Sequence, residues 1–489
     1  MKHIGGDRLT GGEMIHSETL PGSRPRLLRV GRRGLIAGAA GLLAAPSFAG
    51  GAFAQATPAP AAPAPAGGQA TAEITVDRAR TAPIPIAIPD LVAAGGDAAQ
   101  LGRDIAGVIT NNLARCGLFR PIDPAAFIKS GSAGDVPNFA DWKVIGAQAL
   151  VTGKVDSLGG DKVRVEFRLW DVLPQAQIQG TAYTTTLSNW RRIAHIISDV
   201  IYERLLGEKG YFDTRIVYIA GSGPRDRRVK RLAIMDQDGE RNQFLTDGRF
   251  LALSPRYHPT RDQIAFMSYL DNKPRVYLFD LGTGRQSILG NFQGITLSPR
   301  FAPDGNSVIM SETNGPGADI WTVGLHGGRA RKLTDTGGAI DVSPCYSPDG
   351  TQVVFNSDRG GDQQLYVMGA DGSNVRRISF GKARYATPVW SPRGDLIAYT
   401  RFGGSTFQIG VMRPDGSGER VLSESYYVEG PTFAPNGRVI MFWRETAARD
   451  SRGNGFSSRL VSIDITGFNE RVVTTPTDAS DPAWSPLQS

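Results

Sequence analysis

Pro344-Cys345-Tyr346-Ser347-Pro348-Asp349-Gly350 opens a unit that continues through Val353-Val354-Phe355, Leu365-Tyr366-Val367-Met368 and Val375-Arg376-Arg377-Ile378-Ser379. The spacing of proline, aromatic and proline recurs at Pro255-Arg256-Tyr257-His258-Pro259, Pro299-Arg300-Phe301-Ala302-Pro303, Pro388-Val389-Trp390-Ser391-Pro392, Pro431-Thr432-Phe433-Ala434-Pro435 and Pro482-Ala483-Trp484-Ser485-Pro486. Successive first prolines lie 44, 45, 44, 43 and 51 residues apart. A fixed period near 45 residues holding four short apolar or β-branched runs is the length of one four-stranded propeller blade. Asp304-Gly305, Asp349-Gly350 and Asn436-Gly437 supply the turn after the first run, and Asp238-Gly239, Asp371-Gly372 and Asp415-Gly416 the turn after the third, where tight hairpins need a backbone that tolerates positive φ.

Proline cannot donate to a β ladder, so a first strand carrying one must be an edge, here the innermost strand facing the channel. The array ends are complementary. Ile216-Val217-Tyr218-Ile219, Leu232-Ala233-Ile234-Met235 and Asn242-Gln243-Phe244-Leu245-Thr246 form a blade without a first strand, and residues 481–486 a first strand without a blade. Joined, they give six blades closed by the C-terminal strand.

The chain has 489 residues and a formal net charge of +7. Residues 1–54 hold seven Lys or Arg against three Asp or Glu, leaving a net of +3 on the remainder. That balance argues against nucleic-acid binding, which requires clustered basic surface. The densest basic run, residues 225–231, reads as a solvated hairpin tip, the other reading being a dock for an acidic partner.

Arg24, Arg26, Arg29, Arg32 and Arg33 precede the short apolar run Leu35 to Ala45, and Ala52-Phe53-Ala54 before Gln55 suits a signal peptidase, with Ser47-Phe48-Ala49 a second candidate. This reads as an export signal, by either the twin-arginine or the general secretory route. No later stretch reaches the ~20 apolar residues of a membrane helix, so the expectation is a periplasmic protein without direct membrane insertion. The domain expectation is a cleaved signal at 1–54, an Ala/Pro-rich spacer at 55–72, a small α/β domain with a mixed sheet at 73–210 and the propeller at 211–489. In the α/β domain, helical spacing spans Gly102 to Arg115 and Trp190 to Leu206, and strands are expected at 73–77, 84–89, 149–155 and 162–171.

Signals for catalysis are weak. Gly-x-Ser-x-Gly is absent, which removes the nucleophile-elbow hydrolases. His195, His258 and His326 lack metal-ligand spacing, Asp236-Gln237-Asp238-Gly239-Glu240 reads as an ordinary turn rather than a cation loop, and no cofactor is expected. Cys116 and Cys345 fall in different domains and are expected to be free thiols. Connections between one blade's outer strand and the next blade's inner strand carry Phe250, Leu251, Leu253, Ile295, Leu297, Ile340, Tyr385, Tyr426 and Tyr427. Part of this set is first-strand core by position, and the remainder predicts an apolar, aromatic channel mouth suited to a protein partner.

The repeat from Pro344 to Met368, the terminal Pro482-Ala483-Trp484-Ser485-Pro486 and the order of signal, N-terminal strand, α/β domain and six blades resemble the TolB family of the Tol-Pal envelope system, over roughly residues 73–489. The resemblance implies a non-enzymatic, monomeric periplasmic protein. Its propeller mouth would receive the lipoprotein Pal, and Glu73-Ile74-Thr75-Val76-Asp77 would be recognised by TolA. The implied role is to maintain outer-membrane integrity and constriction at division. The alternative is a propeller that acts as an enzyme, or that binds carbohydrate or another small ligand, through its channel.

Overall fold

The computed structural model describes residues 15–20, 82–93, 96–128, 136–224, 227–270, 273–325, 327–450 and 453–488. The expected signal apart from 15–20, the spacer at 55–72, the TolA segment Glu73 to Asp77 and His326 lie outside the described residues.

The N-terminal domain is a mixed sheet of β1 (His16–Thr19), β2 (Ile84–Ala87), β3 (Val92–Ala93), β4 (Phe119–Pro121), β5 (Ala149–Gly159), β6 (Lys162–Asp171) and β7 (Ala176–Thr186). Its order is β1-β7-β6-β5-β2-β4, with β3 beside β5. Strand β2 runs parallel to β4 and β5, whereas β5, β6 and β7 form an antiparallel meander. Alternation along β6 places Val163, Val165, Phe167 and Leu169 on one face, under helices α1 (Gly96–Cys116) and α3 (Trp190–Leu206). Trp170 and Leu150 face the other way, against Phe139 and Trp142 of the short helix α2 (Phe139–Val144).

Two details differ from the sequence reading. Helix α1 begins six residues before Gly102, and a Cβ at Gly102 would sit 2.3 Å from the Leu91 carbonyl oxygen. The glycine therefore permits close approach of helix and loop and does not start the helix. Within the expected signal, His16–Thr19 pairs antiparallel with β7, since an edge strand offers unpaired backbone groups to any extended segment.

The propeller comprises six four-stranded sheets. The innermost strands of blades 2 to 6 are Ala252–Tyr257, Ile295–Phe301, Asp341–Tyr346, Arg384–Trp390 and Tyr427–Phe433. Blade 1 takes Asp478–Trp484 as its innermost strand, antiparallel to Arg215–Ser222, so the C-terminal strand closes the ring as expected. Each innermost strand also has a bulge that the repeat pattern did not foretell. Register shifts fall between Leu253 and Arg256, Leu297 and Arg300, Val342 and Cys345, Ala386 and Val389, Glu429 and Thr432, and Ser480 and Ala483. The residue before each repeat proline, namely Ser254, Ser298, Ser343, Thr387, Gly430 and Asp481, has φ between 47° and 67°. The proline thus occupies a ladder interruption on an edge, where its missing N–H costs nothing.

The two domains share one hydrophobic cluster, which runs from Ile105, Ile109 and Ile197 through Tyr202, Tyr211 and Phe212 to Ile216, Met441 and Trp484. Cys116 and Cys345 are both free and buried, and burial pushes the Cys116 thiol up to about 12.

Candidate partner-binding mouth and channel

Chain direction assigns every loop to one of two mouths. First strands run away from the connections between blades, so those connections share a mouth with the hairpins joining second and third strands. The turns after first and third strands lie at the opposite mouth, and there the N-terminal domain is fastened. Arg115 Nη1 donates to the Asp238 carbonyl at 2.8 Å, Asn469 Nδ2 to the Arg115 carbonyl at 2.7 Å and Asn436 Nδ2 to the Lys209 carbonyl at 3.0 Å, while Arg393 pairs with Glu208 at 2.9 Å. Blades 1, 5 and 6 are covered in this way, and the mouth carrying the predicted partner residues is on the far side.

Buried polar groups reinforce the junction. Asn112 Nδ2 lies 2.9 Å from His195 Nδ1 and donates to Ser198 Oγ at 3.0 Å, and Asn112 Oδ1 accepts from Gln237 Nε2 at 3.0 Å. His195, Asp236 and Asp238 also converge, with ligand atoms within 4.8 Å of one another. Arg191 stands 3.4 Å from Asp236 and 2.5 Å from Asp238, so a guanidinium already fills the position a cation would take. Burial alone would raise the Asp236 carboxyl, but His195, Arg241 and Arg191 outweigh it and hold it below its ordinary value. His258 joins blades 2 and 3: Nε2 lies 2.9 Å from the Gly305 carbonyl, and Nδ1 accepts from the Thr260 and Arg261 amides.

At the far mouth the predicted residues divide. Phe250, Ile295, Ile340 and Tyr426 are exposed, Tyr426 at 63 %. Leu251, Leu253, Leu297 and Tyr427 are half-buried, and Leu297 lines the channel. Tyr385 is corrected to blade core: it is 1 % exposed, and its hydroxyl donates to Glu419 at 2.8 Å. Tyr427 is wedged between Phe407, at 4.5 Å between ring centroids, and Trp443, at 4.9 Å, with its hydroxyl donating to Glu429 at 2.6 Å.

Sequence reasoning missed Phe456. It stacks on Tyr426 with centroids 5.7 Å apart and planes 7° apart. Phe456 lies on the hairpin of blade 6, whose second and third strands, Val439–Asp450 and Gly453–Asp464, each have 12 residues against 6 to 8 in the other blades. The anomalous 51-residue interval was its signature.

Below this rim the channel widens to a cavity of about 310 Å³ lined by all six residues of positive φ together with Arg256, Arg300, Asn356, Glu429 and Trp443. Burial raises the Glu429 carboxyl above its ordinary value, the Tyr427 hydroxyl opposing and Asp481 adding to the rise.

The model of the TolB beta propeller domain matches residues 202–488, and that of the TolB amino-terminal domain matches residues 72–178. This chain belongs to the TolB family. It is 56 % identical over 450 residues to the Tol-Pal system protein TolB of Gluconobacter oxydans, covering 92 % of this chain and 94 % of the relative. It is 55 % identical over 420 residues to that of Paramagnetospirillum magneticum, covering 86 % and 94 %. The crystal structure of TolB from Acinetobacter baumannii superposes with a TM-score of 0.70 at 26 % identity, over 83 % of this chain and 97 % of that one. Membership makes the chain a component of the Tol-Pal system, and no helix among the described residues is long and apolar enough to cross a membrane.

Proposed function

We propose that this TolB-family chain is a periplasmic, non-enzymatic and monomeric adaptor, which binds Pal at the propeller mouth opposite the N-terminal domain and TolA through Glu73 to Asp77. In this role it maintains outer-membrane integrity and the constriction of that membrane at division. The observation that supports the reading best is the aromatic ledge of Tyr426 on Phe456, exposed at a mouth the other domain leaves open. Exposed aromatic residues beside a cavity are the usual anchors of protein recognition. Partner switching requires the two states to differ in affinity for Pal.

The test is capture of purified Pal and TolA by the mature protein with and without residues 55–77. This deletion ends before β2, which pairs with both β4 and β5 and must be kept. Loss of TolA capture with an altered affinity for Pal supports the reading. Retention of TolA, or no capture of Pal by either form, contradicts it.

A further inference from the structure

Leu297, Val342, Ala386 and Glu429 from one slot of the innermost strands and Arg256 and Arg300 from another line the channel cavity, and the occupants of these two slots are not equivalent around the ring. Two residues before the repeat proline, blades 2 to 5 carry Leu253, Leu297, Val342 and Ala386, whereas blade 6 carries Glu429. One residue after the proline, blades 2 and 3 carry Arg256 and Arg300, and the others carry Cys345, Val389, Thr432 and Ala483. Asp481, at the bulge of the closing strand, sits on blade 1. The wall therefore has a cationic half on blades 2 and 3 and an anionic half on blades 6 and 1. With six blades, Arg300 on blade 3 is diametrically across from Glu429 on blade 6.

These charges are poorly compensated by the protein. Arg256 Nη1 donates to the carbonyl of its own neighbour Pro255 at 2.7 Å, and neither Arg256 nor Arg300 makes an ion pair among the described residues. Burial and then the neighbouring Arg300 depress the Arg256 guanidinium, with Asp481 opposing only in part. Glu429 is raised on the other side for the converse reason, burial with Asp481 nearby. Asn356, on blade 4, is 1 % exposed, lines the same cavity and leaves Oδ1 without a partner. Like charges paired in a sheltered cavity are costly until a counter-charge enters.

We propose that the channel is a binding site for a small zwitterion, an amino acid or short peptide whose carboxylate is taken by Arg256 and Arg300 and whose ammonium is taken by Glu429 and Asp481. Guanidinium groups bind carboxylates in a directed, forked geometry. An ammonium between the two carboxylates removes their mutual repulsion, and Asn356 Oδ1 accepts a further N–H of the ligand. A volume of about 310 Å³ lies at the lower end of small-ligand sites and suits a dipeptide better than an oligosaccharide. A simple dianion is disfavoured, because its second charge would meet Glu429 and Asp481. The proposal stands whether or not a protein partner caps the mouth.

Calorimetric titration of the whole chain tests it with four probes: alanine, alanyl-alanine, N-acetyl-alanyl-alanine and alanyl-alanine amide. The prediction is binding of the unblocked amino acid, the unblocked dipeptide or both, which identifies the source. Either blocked dipeptide should bind at least roughly tenfold more weakly, as expected for loss of one charge-assisted contact. Arg300→Gln should weaken the carboxylate end and Glu429→Gln the ammonium end, with unchanged melting temperatures reporting intact folds. Equal binding of the N-acetylated and free dipeptides would overturn the zwitterion assignment. So would binding that survives both substitutions, or no binding of any probe.

Discussion

The indole Nε1 of Trp484 donates to Oγ1 of Thr214 at 2.8 Å, joining the last propeller strand to the segment that enters the first. Beside it the Ser485 amide donates to the Arg215 carbonyl at 2.9 Å, and the Arg215 amide to Ser485 Oγ at 2.8 Å. The ring is thus closed by a strand held on one side by a ladder and at its end by side chains. It also stacks against the interdomain core, since the Tyr211 and Trp484 rings meet edge to face at 5.8 Å.

Removing residues 480–489 is predicted to abolish the single cooperative transition, because blade 1 loses its inner strand and an apolar face opens beside the N-terminal domain. Trp484→Ala alone should cost about 3–5 kcal/mol. Scanning calorimetry reads both, and a truncated chain that melts like the parent would refute closure as a source of stability.

Two glycines of α1 should respond in opposite directions. Gly107 has nothing within 4 Å of a built Cβ, so Gly107→Ala should stabilise the helix by roughly 0.5–1 kcal/mol. Gly102→Ala meets the Leu91 carbonyl oxygen at 2.3 Å and should destabilise by about 1–3 kcal/mol through overpacking. Urea midpoints of the two variants, bracketing the parent, check the argument.

That pair also shows what sequence can and cannot carry. The propeller was legible because a proline-aromatic-proline register recurs at blade length and the two incomplete ends complement each other. Helix α3 was legible because its apolar stripe runs unbroken from Trp190 to Leu206, and the structure adds the stop, Gly207 with φ 75°. The start of α1 was not, because a glycine that relieves a clash looks in sequence like a glycine that ends an element. Tyr385 misled for a similar reason: it reads as a connection but already lies in the innermost strand Arg384–Trp390, packed on Tyr399 at 5.2 Å between centroids, and only its hydroxyl reaches out to Glu419. The bulges were hidden because the prolines were already explained by the edge position. The opposition of Arg300 and Glu429 was hidden because it exists only once the ring is closed.

The junction between domains should be sensitive to pH. Asp199 on α3 accepts the amides of Phe212 at 2.7 Å and Asp213 at 2.8 Å, yet burial pushes its carboxyl up to about 7. Burial likewise pushes Asp213 up to about 6 against the pull of Arg192 and His195. Carboxyls raised in the folded state bind more protons than the unfolded chain, so their contribution is fully present below about pH 4 and is lost as pH rises through 6 to 7. Denaturant midpoints from pH 4 to 8 should therefore carry a falling component that Asp199→Asn flattens. A variant with the same slope as the parent would show that Asp199 does not titrate there.

The proposed seat for Pal is the Tyr426 and Phe456 ledge at the open mouth. Titrating purified Pal into the parent and into the Tyr426→Ala/Phe456→Ala variant tests it directly, because both rings are exposed and their loss should leave the melting temperature unchanged. The expected result is a loss in affinity of at least tenfold, on the order of 2 kcal/mol or more for a stacked aromatic anchor. Equal affinity for the two proteins, with both folded, would place the Pal site elsewhere.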